Sequence, residues 1–201
     1  MGRQRTWSLA GTPAALAATH PPADTPLNRY TGTLLGLVRI AIGGMWFQQT
    51  QWKPPPNFGC QADPAAVPNS GLCDWVGKEI AQPKFAWYRD FLVTYVQPNL
   101  DTLGWVIYLG ELTTAVLLVL GLLTRLGGLL GAAQGVNLTI GLWGVEHEWY
   151  WTYIMLTLLN LTLALTAAGR WLGVDALIHP RMAATAREHG YPLARLVAAL
   201  T

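Results

Sequence analysis

Residues 110–125 read GELTTAVLLVLGLLTR, and the reading of this stretch decides the fold. Glu111 is a lone carboxylate inside a run, about 100–123, that is otherwise apolar enough to cross a bilayer. A charged side chain at the centre of a spanning helix costs at least about 2.5–3.5 kcal/mol. Glu111 therefore needs a partner, a task, or both.

Three further windows are long enough to span, at about 30–51, 126–145 and 149–168, each meeting the requirement of about 20 residues. Hydrocarbon offers the backbone no hydrogen-bonding water, so such spans are helices. With 201 residues, 52% hydrophobic and 12% charged, the chain is too apolar for an ordinary soluble domain and too short for several. The expected fold is an all-α integral membrane protein, a four-transmembrane-helix bundle with short interfacial helices in a long outer loop, 53–99. Residues 1–29 read as a flexible tail, 30–178 as the membrane domain and 179–201 as an amphipathic C-terminal segment.

The formal net charge of +2 gives no reason to expect a nucleic-acid partner, but its distribution orients the chain. The two tails and the turn at 124–125 carry Arg3, Arg5, Arg29, Arg125, Arg170, Arg181, Arg187 and Arg195 against Asp24, Asp175 and Glu188. The other loops carry Lys53, Lys78, Lys84 and Arg89 against seven carboxylates, Asp63, Asp74, Glu79, Asp90, Asp101, Glu146 and Glu148. By the positive-inside rule both termini face the cytoplasm, in a multi-pass protein of the cell membrane. Cys60 and Cys73 then fall on the outer side, where a disulfide is permitted. A redox-active thiol pair is the competing reading, without the tight Cys-x-x-Cys spacing that lowers a thiol pKa.

The first span stops at Pro54-Pro55-Pro56, with Trp46 and Trp52 expected at the outer interface. Phe85, Trp87, Tyr88, Phe91 and Tyr95 give the outer loop an aromatic layer that seats a helix at the headgroups or lines a ligand entrance. Thr124-Arg125 closes a tight hairpin between the second and third spans, and Gly127, Gly131 and Gly135 form a small-residue packing stripe.

A rise of about 1.5 Å per residue through a core of about 30 Å fixes approximate depths. On that count Arg39, Glu111, Gln134, Asn137 and Asn160 fall in one layer near the midplane. Unpaired polar groups in lipid cost several kcal/mol each, so they should converge inside the bundle. One reading is a purely structural Arg39–Glu111 ion pair completed by the amides. The other is a quinone headgroup pocket, with Glu111 carrying a proton and Arg39 or the amides binding a carbonyl oxygen. Glu146, His147 and Glu148 are adjacent and point in different directions, which disfavours joint metal ligation. No haem, flavin or metal motif is present in the sequence, nor a phosphate loop.

Arg39 followed by Gly43 and Lys53, GEL and GLLTR within 110–125, and GRWLGVDAL at 169–177 resemble the DoxX family. The closer likeness is to the DoxD-like small subunit of thiosulfate:quinone oxidoreductase, over about 30–178. The resemblance implies a four-helix membrane subunit of an oxidoreductase that passes electrons to quinone, with other membrane or outer-face subunits as partners. Carried over residue by residue, it points to Arg39, Glu111, Arg125 and Asp175, the last two in structural roles. The expected function is thus a membrane subunit of a quinone-linked oxidoreductase. Its quinone is a substrate bound near Arg39 and Glu111, and its electrons arrive through a partner, a disulfide or direct chemistry. The alternative is a non-catalytic structural or assembly subunit of a larger respiratory or photosynthetic membrane complex.

Overall fold

The computed structural model describes residues 26–60 and 71–201. The N-terminal tail expected over 1–29 lies almost wholly outside the described residues, as does 61–70 of the long loop. Among the described residues the structure is all-helical. Helix α1 runs Pro26–Gln51, α2 Leu72–Ala81, α3 Ala86–Phe91, α4 Leu100–Leu120, α5 Thr124–Leu142, α6 Tyr150–Thr166, α7 Asp175–His189 and α8 Pro192–Leu200.

Between α3 and α4 the chain stays helical but changes pitch, through a wide π turn at Leu92–Val96 and a tight 3-10 turn at Gln97–Asn99. Pro98 sits in the tight turn. It has no N–H to donate and its ring crowds the preceding carbonyls, so the regular ladder cannot continue through it. The continuous helical path Ala86–Leu120 is 35 residues and is the one helix among those described that is long and apolar enough to cross a membrane, by length and composition. Helix α6 is apolar but shorter. In α1 and α5 the apolar run is diluted by Arg39, Gln134, Asn137 and many glycines.

Helix α1 packs along α4, α5 packs most extensively along α6, and α4 meets α5 across their short connection. Small residues set the spacing. A Cβ on Gly43 would lie 2.8 Å from Val119 of α4, and one on Gly131 or Gly135 would collide with Asn160 or Thr157 of α6. The small-residue stripe of α5 is therefore where α6 docks, its backbone close against the helix. Ile42, Trp46, Ala115, Leu118, Leu163 and Ala168 form the core of the bundle. A second core, Phe58, Leu72, Val76, Tyr88, Leu92 and Val96, lies under the loop helices.

Cys60 and Cys73 are joined by a disulfide that ties the end of the 52–60 turn to the start of α2. The α4–α5 connection is Gly121–Leu123, with Gly121 at φ 64. Left-handed backbone is cheap only for glycine, and here it ends α4. The C-terminal segment expected over 179–201 is carried by two helices. Gly190 at φ 67 ends α7, Pro192 starts α8, and α8 folds back on α7.

Candidate functional site: two buried charge centres

The sequence brings Arg39 and Glu111 to one depth; the structure separates them. With Gly43 packed on Val119, Arg39 lies one turn nearer the start of α1 and so reaches the last turn of α4. Its Nη1 donates to the carbonyls of Leu118 and Val119, the latter at 3.1 Å. Its Nη2 donates to Leu172 at 2.9 Å and Trp171 at 3.5 Å. The last carbonyls of a helix have no partner within it, and a guanidinium, with five donors in a fork, can serve two segments together. Arg39 is fully buried and fastens the end of α4 to the chain before α7.

Asp175 completes this centre. Its two carboxylate oxygens accept from the backbone N–H groups of Leu123 and Thr124, at 2.8 and 2.9 Å. These are the first donors of α5, which the helix itself leaves unsatisfied. Asp175 also acts electrostatically on Arg39. A long-range carboxylate thus caps α5, and the two segments of the DoxX-like resemblance, 110–125 and 169–177, are locked together. Arg125 donates to the Ala199 carbonyl at 3.2 Å and so holds α8 to α5.

Glu111 pairs instead with Lys53, Nζ to Oε1 at 2.6 Å, with both side chains about 95% buried (5% and 6% exposed). The charge count places Lys53 among the outer-loop residues. The antiparallel register explains its place. It lies ten residues beyond Gly43, and Glu111 lies eight before Val119, which at about 1.5 Å per residue puts both at one height. The Lys53 ammonium also stands 4.3 Å from the centre of the Trp52 ring. Burial lowers the Lys53 pKa, opposed by the Glu111 charge and hydrogen bond. The other carboxylate oxygen, Glu111 Oε2, is buried and has no hydrogen-bond partner among the described residues.

Of the expected amides, Asn160 and Gln134 sit inside the bundle. Asn160 accepts from Trp46 Nε1 at 3.2 Å and donates to the Leu156 carbonyl. Trp46, expected at the outer interface, is therefore a core residue at 2% exposure. Gln134 donates to Thr114 Oγ1 at 2.8 Å and faces the Gly110 carbonyl, one residue from Glu111. Asn137 does not converge with them. It is exposed, and its Oδ1 accepts from the Tyr88 hydroxyl at 3.1 Å. The single polar layer thus resolves into the Arg39–Asp175 centre, the Lys53–Glu111 centre with Thr114, Gln134 and Asn160 nearby, and an Asn137–Tyr88 contact.

Sequence reading also passed over Glu79 of α2. It is 8% exposed, packed against Gly141, and burial pushes its pKa up to about 7. A buried carboxylate in a short amphipathic loop helix leaves no signal in sequence, because at the same spacing it reads as a solvated face. Tyr153 donates to Glu148 at 2.6 Å, and His147 is exposed. No group of three or more His, Cys, Asp or Glu side chains suited to a metal ion occurs among the described residues.

Among the described residues the chain is all-helical, with one helix long and apolar enough to cross a membrane and two buried charge centres. The family model for DoxD, described as "TQO small subunit DoxD", matches residues 34–200, and the chain belongs to this family. Membership makes it a membrane subunit of the thiosulfate:quinone oxidoreductase type. No curated protein and no solved structure matches the chain.

Proposed function

We propose that the chain is a multi-pass membrane subunit of a quinone-reducing oxidoreductase, and that quinone meets it at the Lys53–Glu111 centre. Helices α1, α4, α5 and α6 are its four spans. Both termini lie on the cytoplasmic side, and the disulfide lies outside. Large apolar side chains are exposed on all four helices, including Leu37, Phe47, Val106, Val116, Leu129, Val136, Leu158 and Leu165. Apolar faces of that extent fit lipid and partner subunits.

The observation that carries the reading is Glu111 Oε2, a buried acceptor with no hydrogen-bond partner among the described residues, on a carboxylate held in place by Lys53. A buried acceptor with no donor is costly to keep, and a quinol hydroxyl supplies the missing donor. Reduction takes two electrons and two protons per quinone. The electrons come from a reduced sulfur anion of the thiosulfate class, oxidised at this subunit or a partner. Lys53 fits a headgroup oxygen, and Glu111 fits proton delivery to it. Thr114 and Gln134 border the same place through Gly110. Arg39, fully engaged at its Nη atoms by carbonyls, serves structure in this reading, and Asn160 serves packing through Trp46.

The test is Glu111→Gln in the assembled complex. It should lower quinone reduction about 100-fold, the range of one lost acid–base group, with subunit levels unchanged. Full activity at normal assembly would overturn the assignment and leave the scaffold alternative, which the internally satisfied Trp46–Asn160 and Thr114–Gln134 bonds favour.

A further inference from the structure

We propose that Glu79 is the proton-loading carboxyl of the disulfide end, taking protons from solution and passing them along the α5 face toward the Glu111 centre. This rests on the quinone reading above but on different residues. Glu79 is buried at 8% exposure, and its carboxyl carbon would lie 2.6 Å from a Cβ on Gly141. Position 141 thus gives up its side chain to admit a carboxyl. No cation and no hydrogen-bond donor among the described residues meets that carboxylate, and desolvation alone accounts for its shifted proton affinity. A buried carboxyl without a cation stabilises no ion pair. Its proton affinity, raised by burial to about 7, lets it take up and release a proton near neutral pH.

The groups around it fit proton traffic. From α3, Tyr88 stands within electrostatic reach and gives its hydroxyl to Asn137. From α6, Tyr153 does the same, its hydroxyl held by Glu148. From α5, the uncharged Gly141 packs against the carboxyl. On α2 itself, Lys78 pairs with Asp74 at 3.1 Å. Gly141, Asn137 and Gln134 are spaced by four and three residues, so they share one face of α5. That face ends at Gln134, beside Gly110 and so beside Glu111. Asn137 is a polar side chain exposed on a spanning helix, a position that is costly unless it is used.

In the step proposed, the Glu79 carboxyl O–H bond breaks and its proton moves through water along this face to a reduced quinone oxygen. The carboxylate then regains a proton from solution on the disulfide side. Two such transfers accompany each two-electron reduction.

The full chain in lipid nanodiscs is titrated by infrared difference spectroscopy, wild type against Glu79→Gln and Tyr88→Phe. A protonated-carboxyl band that titrates near neutral pH, shifts in deuterium oxide, persists in Tyr88→Phe and disappears in Glu79→Gln is the expected result. Absence of the band, or its persistence in Glu79→Gln, overturns the proposal. In the assembled complex, Glu79→Gln should lower quinone turnover about 10-fold and flatten its pH profile near neutrality, with KM for quinone unchanged. A wild-type profile in Glu79→Gln overturns the proton route and leaves the Glu111 reading standing. A titrating Glu79 in a complex that reduces no quinone overturns the quinone reading and with it the route.

Discussion

The two ends of the helix bundle use buried charge in opposite ways. At the Gly121 end, the two Nη atoms of Arg39 and the carboxylate of Asp175 bond the main chain, four carbonyls on one side and two N–H groups on the other, while Arg39 Nε is buried with no partner among the described residues. At the disulfide end, Lys53 and Glu111 face each other, and among the described residues one Glu111 carboxylate oxygen has no hydrogen-bond partner and Glu79 no counter-ion. Charges of the first kind fasten helix ends that cannot satisfy their own backbone. On the function proposed, charges of the second kind keep an acceptor or a proton to exchange. An ionisable residue inside a membrane bundle is thus read by what it touches, backbone or side chain, before any role is assigned to it.

Removing Arg39 should break the first end most severely. Arg39→Leu removes the guanidinium donor from the carbonyls of Leu118, Val119 and Leu172, of which Leu118 keeps the Gly121 N–H at 3.3 Å, and leaves Asp175 without its nearby cation. A loss of about 3–5 kcal/mol is expected, the cost of removing one partner from a buried charge network. Thermal unfolding in mild detergent measures it, and Arg39→Lys should recover only a fraction, since one ammonium cannot span the fork.

The second end should respond differently to paired substitution. Lys53→Met alone leaves Glu111 buried without its cation and should cost about 3 kcal/mol. Lys53→Met with Glu111→Leu should return most of that stability while abolishing quinone reduction, because an apolar pair of similar volume often replaces a buried ion pair at little cost. Unfolding midpoints and turnover of the same preparations separate the two. A double variant as unstable as the single one would make this end a second fastening point.

Asp175→Ala should cost less than either, about 2 kcal/mol, the upper range for a lost helix cap. The start of α5 carries the effect, so amide hydrogen exchange should rise at Leu123 and Thr124 before it rises elsewhere.

These contrasts also mark what was legible in sequence. The all-helical fold follows from apolar runs that no other element can satisfy in lipid, and the disulfide from two cysteines in one loop. The family likeness is carried by 110–125 and 169–177, which Arg39 and Asp175 join. Pairing was not legible. Depths counted from window edges carry errors of a turn or more, and one turn decides whether Arg39 meets Glu111 or the end of α4. The inter-helix register that settles it is set by Gly43 against Val119, a steric fit that neither residue announces alone. Lys53 and Glu79 were hidden for a related reason: a charge beyond a helix end or in a loop helix reads as solvated until the chain folds back over it.

The smallest effect expected is on pH dependence, and Glu79 carries it. Its folded-state pKa, about 7, is raised from an ordinary carboxyl value of 4.5. Between those values the folded state holds a proton that the unfolded chain has released, so stability falls as pH rises through the window. Below it both states are protonated, and above it both are ionised, so the dependence flattens on either side. From about pH 6 to about pH 8 the loss should be about 1 kcal/mol, much of the shift having been realised already at lower pH. Unfolding midpoints at fixed ionic strength should show this slope in the wild type and lose it in Glu79→Gln. Glu111 shares its proton balance with Lys53, so Lys53→Met should change the slope as well, and the double substitution should leave the Glu79 contribution alone. A slope that survives Glu79→Gln would move the titrating group from α2 to the Lys53–Glu111 centre, making that centre the proton-holding part of the disulfide end.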